Sequence, residues 1–357
     1  MVVQRIWNFI SRHRKKLIFT GLLAGGAYYF LKVKLEKVQQ DFFDSLMKEL
    51  AAGAASSNGQ AEEQQRRASF QKHQEVSDGY ARKGLRSFLA RHQSRFKIDQ
   101  CHAKVKAASN SEMKVAAFKE LQVECLTLLA SAAYSLNVIL MLHRVMFNIA
   151  GREAAAGQSG ESPEANGEPP AAMQELISST DFFLENGPAM VADAARKAVQ
   201  ETPSLQPETA VSTNSLSSFF KDIFQKVEKD ILADSKGSAL LPPDSAGLAQ
   251  AKPFLDEARD YLESPQLLHA FRSVSSAVAD RLPHELAKTG GKASALKEGT
   301  VPLATLFGGC ITLGKNLFQA DPDGTECAEA FIQSFADQTV VSKFCEEIYF
   351  QAATAKK

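Results

Sequence analysis

At 357 residues the chain can hold two domains or one large one. Its apolar fraction of 45% and charged fraction of 23% are globular values. Forty-one basic residues balance forty-one acidic ones, so no global field favours nucleic acid or a charged small-molecule substrate. Five widely spaced cysteines without a C-x-x-C exclude a disulfide framework and fit a reducing compartment. The seven histidines show no metal-ligand spacing, so neither a metal nor another cofactor is expected.

Charge is uneven at the start. Seven Lys or Arg lie between Met1 and Lys34, and the first acid is Glu36. The basic knot Arg12, Arg14, Lys15 and Lys16 precedes the uncharged run Leu17 to Leu31, "LIFTGLLAGGAYYFL". As a helix this run spans about 22 Å, short of the roughly 30 Å hydrocarbon core. Val33 and the stems of the flanking lysines extend it, and Trp7, Tyr28 and Tyr29 suit an interface. Gly21 and Gly25 form a small-x-x-x-small pair. A signal peptide has the same basic and apolar regions, yet Gly25-Gly26-Ala27 makes only a fair cleavage site and the sequence continues helically beyond it. The run is read as an uncleaved anchor, with a signal peptide and a buried helix as the remaining alternatives. Lysines on both flanks leave its orientation undecided by charge.

Further along, polar or Gly/Pro-rich stretches at 51–60, 151–170, 202–214, 234–247 and 283–300 separate long blocks rich in Ala, Leu, Glu, Lys and Gln. Apolar residues in the blocks recur at three- and four-residue spacing, as in Phe219, Ile223, Val227 and Ile231. Asn214 or Ser215 can cap the helix at 216–232, and Ser264 with Pro265 behind it can start another. The expectation is an all-α protein: a single transmembrane helix within segment 1–44, then one large elongated helical bundle over 45–357, interrupted by a flexible loop at 151–170.

A second uncharged run, Cys125 to Leu142, has eighteen residues, long enough to be a membrane candidate. Thr127, Ser131, Tyr134, Ser135 and Asn137 are scattered through it and Arg144 follows. The favoured reading is a helix buried on most sides of the bundle. "GCITLGKN" (Gly309 to Asn316) fits the first seven P-loop positions but has Asn where Mg²⁺ needs Ser or Thr. It is read as a glycine-interrupted helix. "DPDGTE" (Asp321 to Glu326) lacks a third calcium ligand and is read as a turn before a helix. No spacing marks a catalytic set. Upstream, Lys114, Phe118, Leu121, Cys125 and Leu129 fall on one helical stripe. Periodicity makes Phe118 a core residue first and a partner contact second.

Three segments resemble the peroxisomal biogenesis factor 3, or peroxin-3, family. They are "IWNFISRHRKKLIFTGLLAGGAYYFLK", "AYSLNVILMLHRVMFNIAGR" (Ala133 to Arg152), and "LDEARDYLESPQLLHAF" with "VPLA" (Val301 to Ala304) further on. The resemblance implies a non-enzymatic, single-pass peroxisomal membrane protein with its large domain in the cytosol. It implies targeting by Arg12, Arg14, Lys15 and Lys16, anchoring from Leu17 to Leu31 in peroxisomal lipid, and docking of the peroxin-19 receptor through that receptor's amphipathic N-terminal helix. Lys114, Phe118 and Leu121 match the family's groove pattern, in which the aromatic is usually Trp in animal members. Phe keeps the apolar plate but drops the indole N–H and some area. Two alternatives are a generic membrane-tethered helical scaffold and a P-loop-like nucleotide hydrolase.

Overall fold

A computed structural model describes residues 59–157, 171–202, 206–233, 240–243, 247–317 and 326–351. The anchor expected within 1–44, with Arg12, Arg14, Lys15, Lys16, Leu17 and Leu31, lies outside the described residues, as do residues 321–325 of the expected turn. From Glu63 onward the described residues form one compact unit. It is all-α apart from a two-residue antiparallel pairing, β1 (Ala210–Val211) with β2 (Val301–Pro302).

Eleven helices are described. They are α1 (Gly59–Gln93), α2 (Ile98–Ala107), α3 (Ser111–Gly157), α4 (Ala171–Ser178), α5 (Thr180–Glu201), α6 (Thr213–Glu228), α7 (Lys252–Leu262), α8 (Pro265–Lys288), α9 (Phe307–Asn316), α10 (Glu326–Ala336) and α11 (Thr339–Phe350). At 47 residues, α3 is about 70 Å long. Every residue from Cys125 to Arg152 is buried, so this stretch has no solvent face and the other helices wrap it. The second uncharged run is therefore packed inside protein, on α2, α5, α8, α9 and α11. Tyr134 shows the density of that packing: its ring lies 5.2 Å from Phe271 of α8 and 5.9 Å from Phe224 of α6.

Local chemistry sets the helix ends. Ser264 Oγ accepts from the Leu267 amide at 3.1 Å and Pro265 opens α8, as expected of Pro at a position whose N–H has no helical partner. The stripe Phe219, Ile223, Val227 and Ile231 is buried throughout. Three boundaries differ from the sequence reading. Helix α6 is capped by Ser212, whose Oγ accepts from the Ser215 amide, rather than by Asn214 or Ser215. Helix α8 runs through Pro283 to Lys288, because buried Leu282 and Leu286 hold it to the core on either side of the proline. Of the loop expected at 151–170, residues 151–157 instead continue α3, and 158–170 lie outside the described residues. Arg152 is buried there and its guanidinium donates to Glu257 of α7 at 2.6 and 2.7 Å. An ion pair of this kind needs a fixed backbone beneath it.

Helices α1 and α3 run antiparallel: His92 meets Ser131, Asp78 meets Arg144, and Gln74 meets Asn148, one number falling as the other rises. Arg144 donates to both Asp78 carboxylate oxygens, at 2.9 and 2.7 Å, and to the Gln74 side-chain oxygen. The Gln74 amide donates to Asn148 at 2.6 Å, and Asn148 donates back to the Arg144 carbonyl. The charge buried in the core thus carries a nearly complete set of acceptors, without which it would cost several kcal/mol.

Close backbone approach depends on Gly151. A Cβ there would lie 2.7 Å from the His73 ring and 2.9 Å from Tyr349. Gly151→Ala is expected to lose about 1–3 kcal/mol, read as a lower urea midpoint with unchanged slope. Gly79→Ala on α1 meets nothing within 4 Å and is expected to be neutral or to gain up to about 1 kcal/mol.

A candidate docking site at the start of the central helix

Helix α3 begins where Asn110 supplies both parts of a cap. Its side-chain oxygen accepts from the Met113 amide at 2.8 Å and its carbonyl from the Lys114 amide at 3.1 Å. Helix α2 folds back along these first turns, tied by Lys104 to Glu120 and by the Lys97 amide to Glu124. Ala117 and Leu121 are buried, and Leu121 is only 2% exposed. Phe118 is half-buried and Lys114 exposed.

Sequence reasoning grouped Lys114, Phe118 and Leu121, and they do share one stripe in the order exposed, half-buried, buried. It missed Val115, three residues before Phe118 and therefore beside it on the helix surface. Val115 and Met113 are the large apolar side chains exposed among the described residues, at 50% and 53%. Met113 falls on nearly the opposite side of the helix, two positions from Val115. The available signal was "KVAAF", where two alanines leave Val115 and Phe118 without bulky neighbours. The exposed ledge is therefore Val115 and Phe118 with Lys114 at its edge: one charge and two apolar side chains.

Gly309 to Asn316 lies inside α9, so the P-loop resemblance falls on a helix. Its glycines serve packing: a Cβ on Gly314 would sit 2.9 Å from Leu128, and one on Gly309 would sit 2.8 Å from Thr289 Oγ1. Among the described residues no three His, Cys, Asp or Glu side chains are grouped to hold a metal. Cys101, Cys125, Cys310 and Cys345 are unbridged and buried. Burial pushes their thiols up, those of Cys310 and Cys345 to about 12, which keeps them protonated and unreactive.

Two of the motif segments meet in space. Arg152, ending "NIAGR", pairs with Glu257 inside "LDEARDYLESP". Such residues hold the bundle together, whereas the exposed ledge lies elsewhere.

Fold and surface together define a class: an all-α bundle wrapped around one long buried helix, with a small apolar ledge at that helix's start. No family model matches the chain. It is 23% identical over its whole length to "Peroxisomal biogenesis factor 3" of Mus musculus, of which 99% is covered. The protein of the same name from Homo sapiens gives 23% with the same coverage, and that from Bos taurus 25% over 84% of this chain and 86% of its own. Over its full length, then, the chain resembles peroxisomal biogenesis factor 3.

The two neighbouring stripe positions are separable by stability. Leu121→Ala is expected to cost about 2–5 kcal/mol through a core cavity. Phe118→Ala, at a position only half-buried, is expected to cost less than Leu121→Ala, about 1.5–3 kcal/mol. Thermal or urea unfolding of the two variants measures both.

Proposed function

We propose that this chain is a peroxisome-biogenesis factor of the peroxisomal membrane. In this reading the N-terminal run Leu17 to Leu31, led by Arg12, Arg14, Lys15 and Lys16, targets and anchors it, and the bundle faces the cytosol. The bundle docks the peroxin-19 receptor by taking an amphipathic helix of that receptor on Lys114, Phe118 and Leu121. No catalytic step is involved. The names carried by the similar proteins support a role in peroxisome biogenesis.

The observation that carries the docking part is the incompletely buried Phe118 next to exposed Val115. An amphipathic helix needs a few apolar anchors to bury, and each fully buried Phe, Val or Leu contributes about 1.5–3 kcal/mol. Lys114 at the edge favours an acidic residue on the partner and fixes orientation more than affinity. Leu121, already buried, supports the floor under Phe118.

Two measurements test the proposal. Binding of a peptide spanning the N-terminal helix of peroxin-19 is expected to weaken at least tenfold in Phe118→Ala, with a melting temperature shifted by no more than roughly 4 °C. Unchanged binding would sink the docking role. Residues 1–40 fused to a fluorescent protein are expected at peroxisomes, and a cytosolic or secreted signal would overturn the anchor.

A further inference from the structure

Between Lys104 and Glu120, the stretch that carries Val115 and Phe118, four lysines face two glutamates, a net of two positive charges. Ser109 stands in the turn that joins α2 to α3, exposed and outside both helices, with Glu112 three positions on. We propose that Ser109 is a phosphorylation site for an acid-directed serine kinase, and that its phosphate weakens docking by cancelling the positive field around the ledge.

Serine with glutamate three positions later, just before a helix, is ordinarily a capping box in which both side chains serve the helix end. Here the cap belongs to Asn110, whose side-chain oxygen accepts from the Met113 amide at 2.8 Å. The Ser109 hydroxyl donates only to Met113 Sδ, at 3.6 Å. A thioether is a weak acceptor, so the fold gives up little when that oxygen is modified. Ser or Thr with an acid three positions on occurs at Ser109, Ser178 and Ser334. Ser178 and Ser334 belong to α4 and α10, and a hydroxyl on a helix enters a kinase cleft only after local unwinding. Ser111, also exposed, has Lys114 at its third position, the wrong sign for an acid-directed kinase. Exposure, irregular backbone and the acidic determinant coincide at Ser109.

The step is a phosphoryl transfer. Ser109 Oγ attacks the γ-phosphorus of ATP, the bond from that phosphorus to the bridging oxygen breaks, and ADP leaves with the electron pair. The hydroxyl proton goes to the kinase's base. The product carries about 1.5–2 negative charges at pH 7, which brings the net charge of the stretch from two positive to about zero. One residue before the cap, the phosphate lies at the positive end of the α3 dipole, where an anion steadies the helix instead of melting it. Lys114 is about 6 Å along the axis from Asn110, inside the Debye length of about 8 Å at physiological salt. An acidic group on a partner helix then meets a competing anion beside Lys114. Val115 and Phe118 are unchanged, so apolar contact persists and binding is weakened rather than abolished. The effect on docking rests on the docking proposed above; the phosphorylation itself does not.

The test begins with the full chain in mild detergent, incubated with casein kinase 2 and Mg·ATP, and phosphopeptides located by mass spectrometry. Phosphate is expected on Ser109, at a rate unchanged in Ser111→Ala and at least about tenfold lower in Glu112→Lys. Both variants replace exposed side chains, so neither puts the core at risk. No phosphate on Ser109, or an equal rate in Glu112→Lys, would overturn the site. The phosphorylated chain is then compared with the unmodified one for binding the peroxin-19 N-terminal peptide. Phosphorylation is expected to weaken binding at least about fivefold at roughly 50 mM salt and less than about twofold at roughly 0.5 M. Equal binding of the two forms at low salt, or a difference that persists at high salt, would rule out the charge effect. Should the unmodified chain fail to bind at either salt, the docking reading falls and the weakening with it, while the phosphopeptides still decide the site.

Discussion

The structure depends on one constraint: a stretch of helix from Cys125 to Arg152 that reaches no solvent yet carries two arginines, a histidine and two asparagines. Apolar burial of such a helix is favourable on every side. Its two charged groups are tolerable only where the wrapping helices supply partners, whereas the side-chain polar atoms of Asn137 are buried without a hydrogen bond among the described residues. The result fixes neighbours by chemistry as well as by shape. Arg144 requires Asp78 and Gln74, which sets the register of α1. Arg152 requires Glu257, which sets α7. Ser131, whose hydroxyl donates to the Thr127 carbonyl at 2.6 Å, meets His92 near the end of α1. A one-turn slip of either helix would strand a buried charge.

Much of this was legible in the residues and some was not, for reasons that can be named. The uninterrupted run Cys125 to Leu142 identified a buried central helix because its polar groups were too small to define a wet face. Ser264-Pro265 identified a helix start because both residues act locally. Residues 151–157 were misjudged for the opposite reason: a Gly-Ala-rich tail reads as loop until Glu257, about a hundred positions away, is known to hold Arg152. Pro283 misled similarly, since its cost to the helix is offset by tertiary burial of Leu282 and Leu286. Ser212 was passed over because β1 delivers the chain to that cap, and a two-residue strand leaves no periodic trace.

The ledge at Val115 and Phe118 shows the same limit. Stripe periodicity could group Lys114, Phe118 and Leu121 but could not say which of them the bundle covers. Coverage follows from where the wrapping helices stop. Helix α1 ends at Gln93, one residue past the partner of Ser131, so it ends some three turns short of Phe118 on α3. Past a short turn, α2 takes over, but its ties to Glu120 and Glu124 bring it along the side of α3 that carries Ala117 and Leu121. The side bearing Val115 and Phe118 is left without either helix. Exposure of the ledge is thus a consequence of the break between α1 and α2, and the polar seam that fixes α1 also fixes where that break falls.

That dependence bears on Phe in place of the Trp usual at this position in the animal members of the family the chain resembles. An indole would add apolar area and an N–H able to find a partner, both useful at an interface. With Phe the ledge has less to offer from a single anchor, and exposed Val115, at 50%, supplies adjoining area. Two medium anchors set three residues apart spread the contact along the helix axis instead of concentrating it in one pocket. In the proposed docking, a partner helix seated on them would have to match their spacing as well as their apolarity, so recognition would rest more on register than on the reach of one large ring.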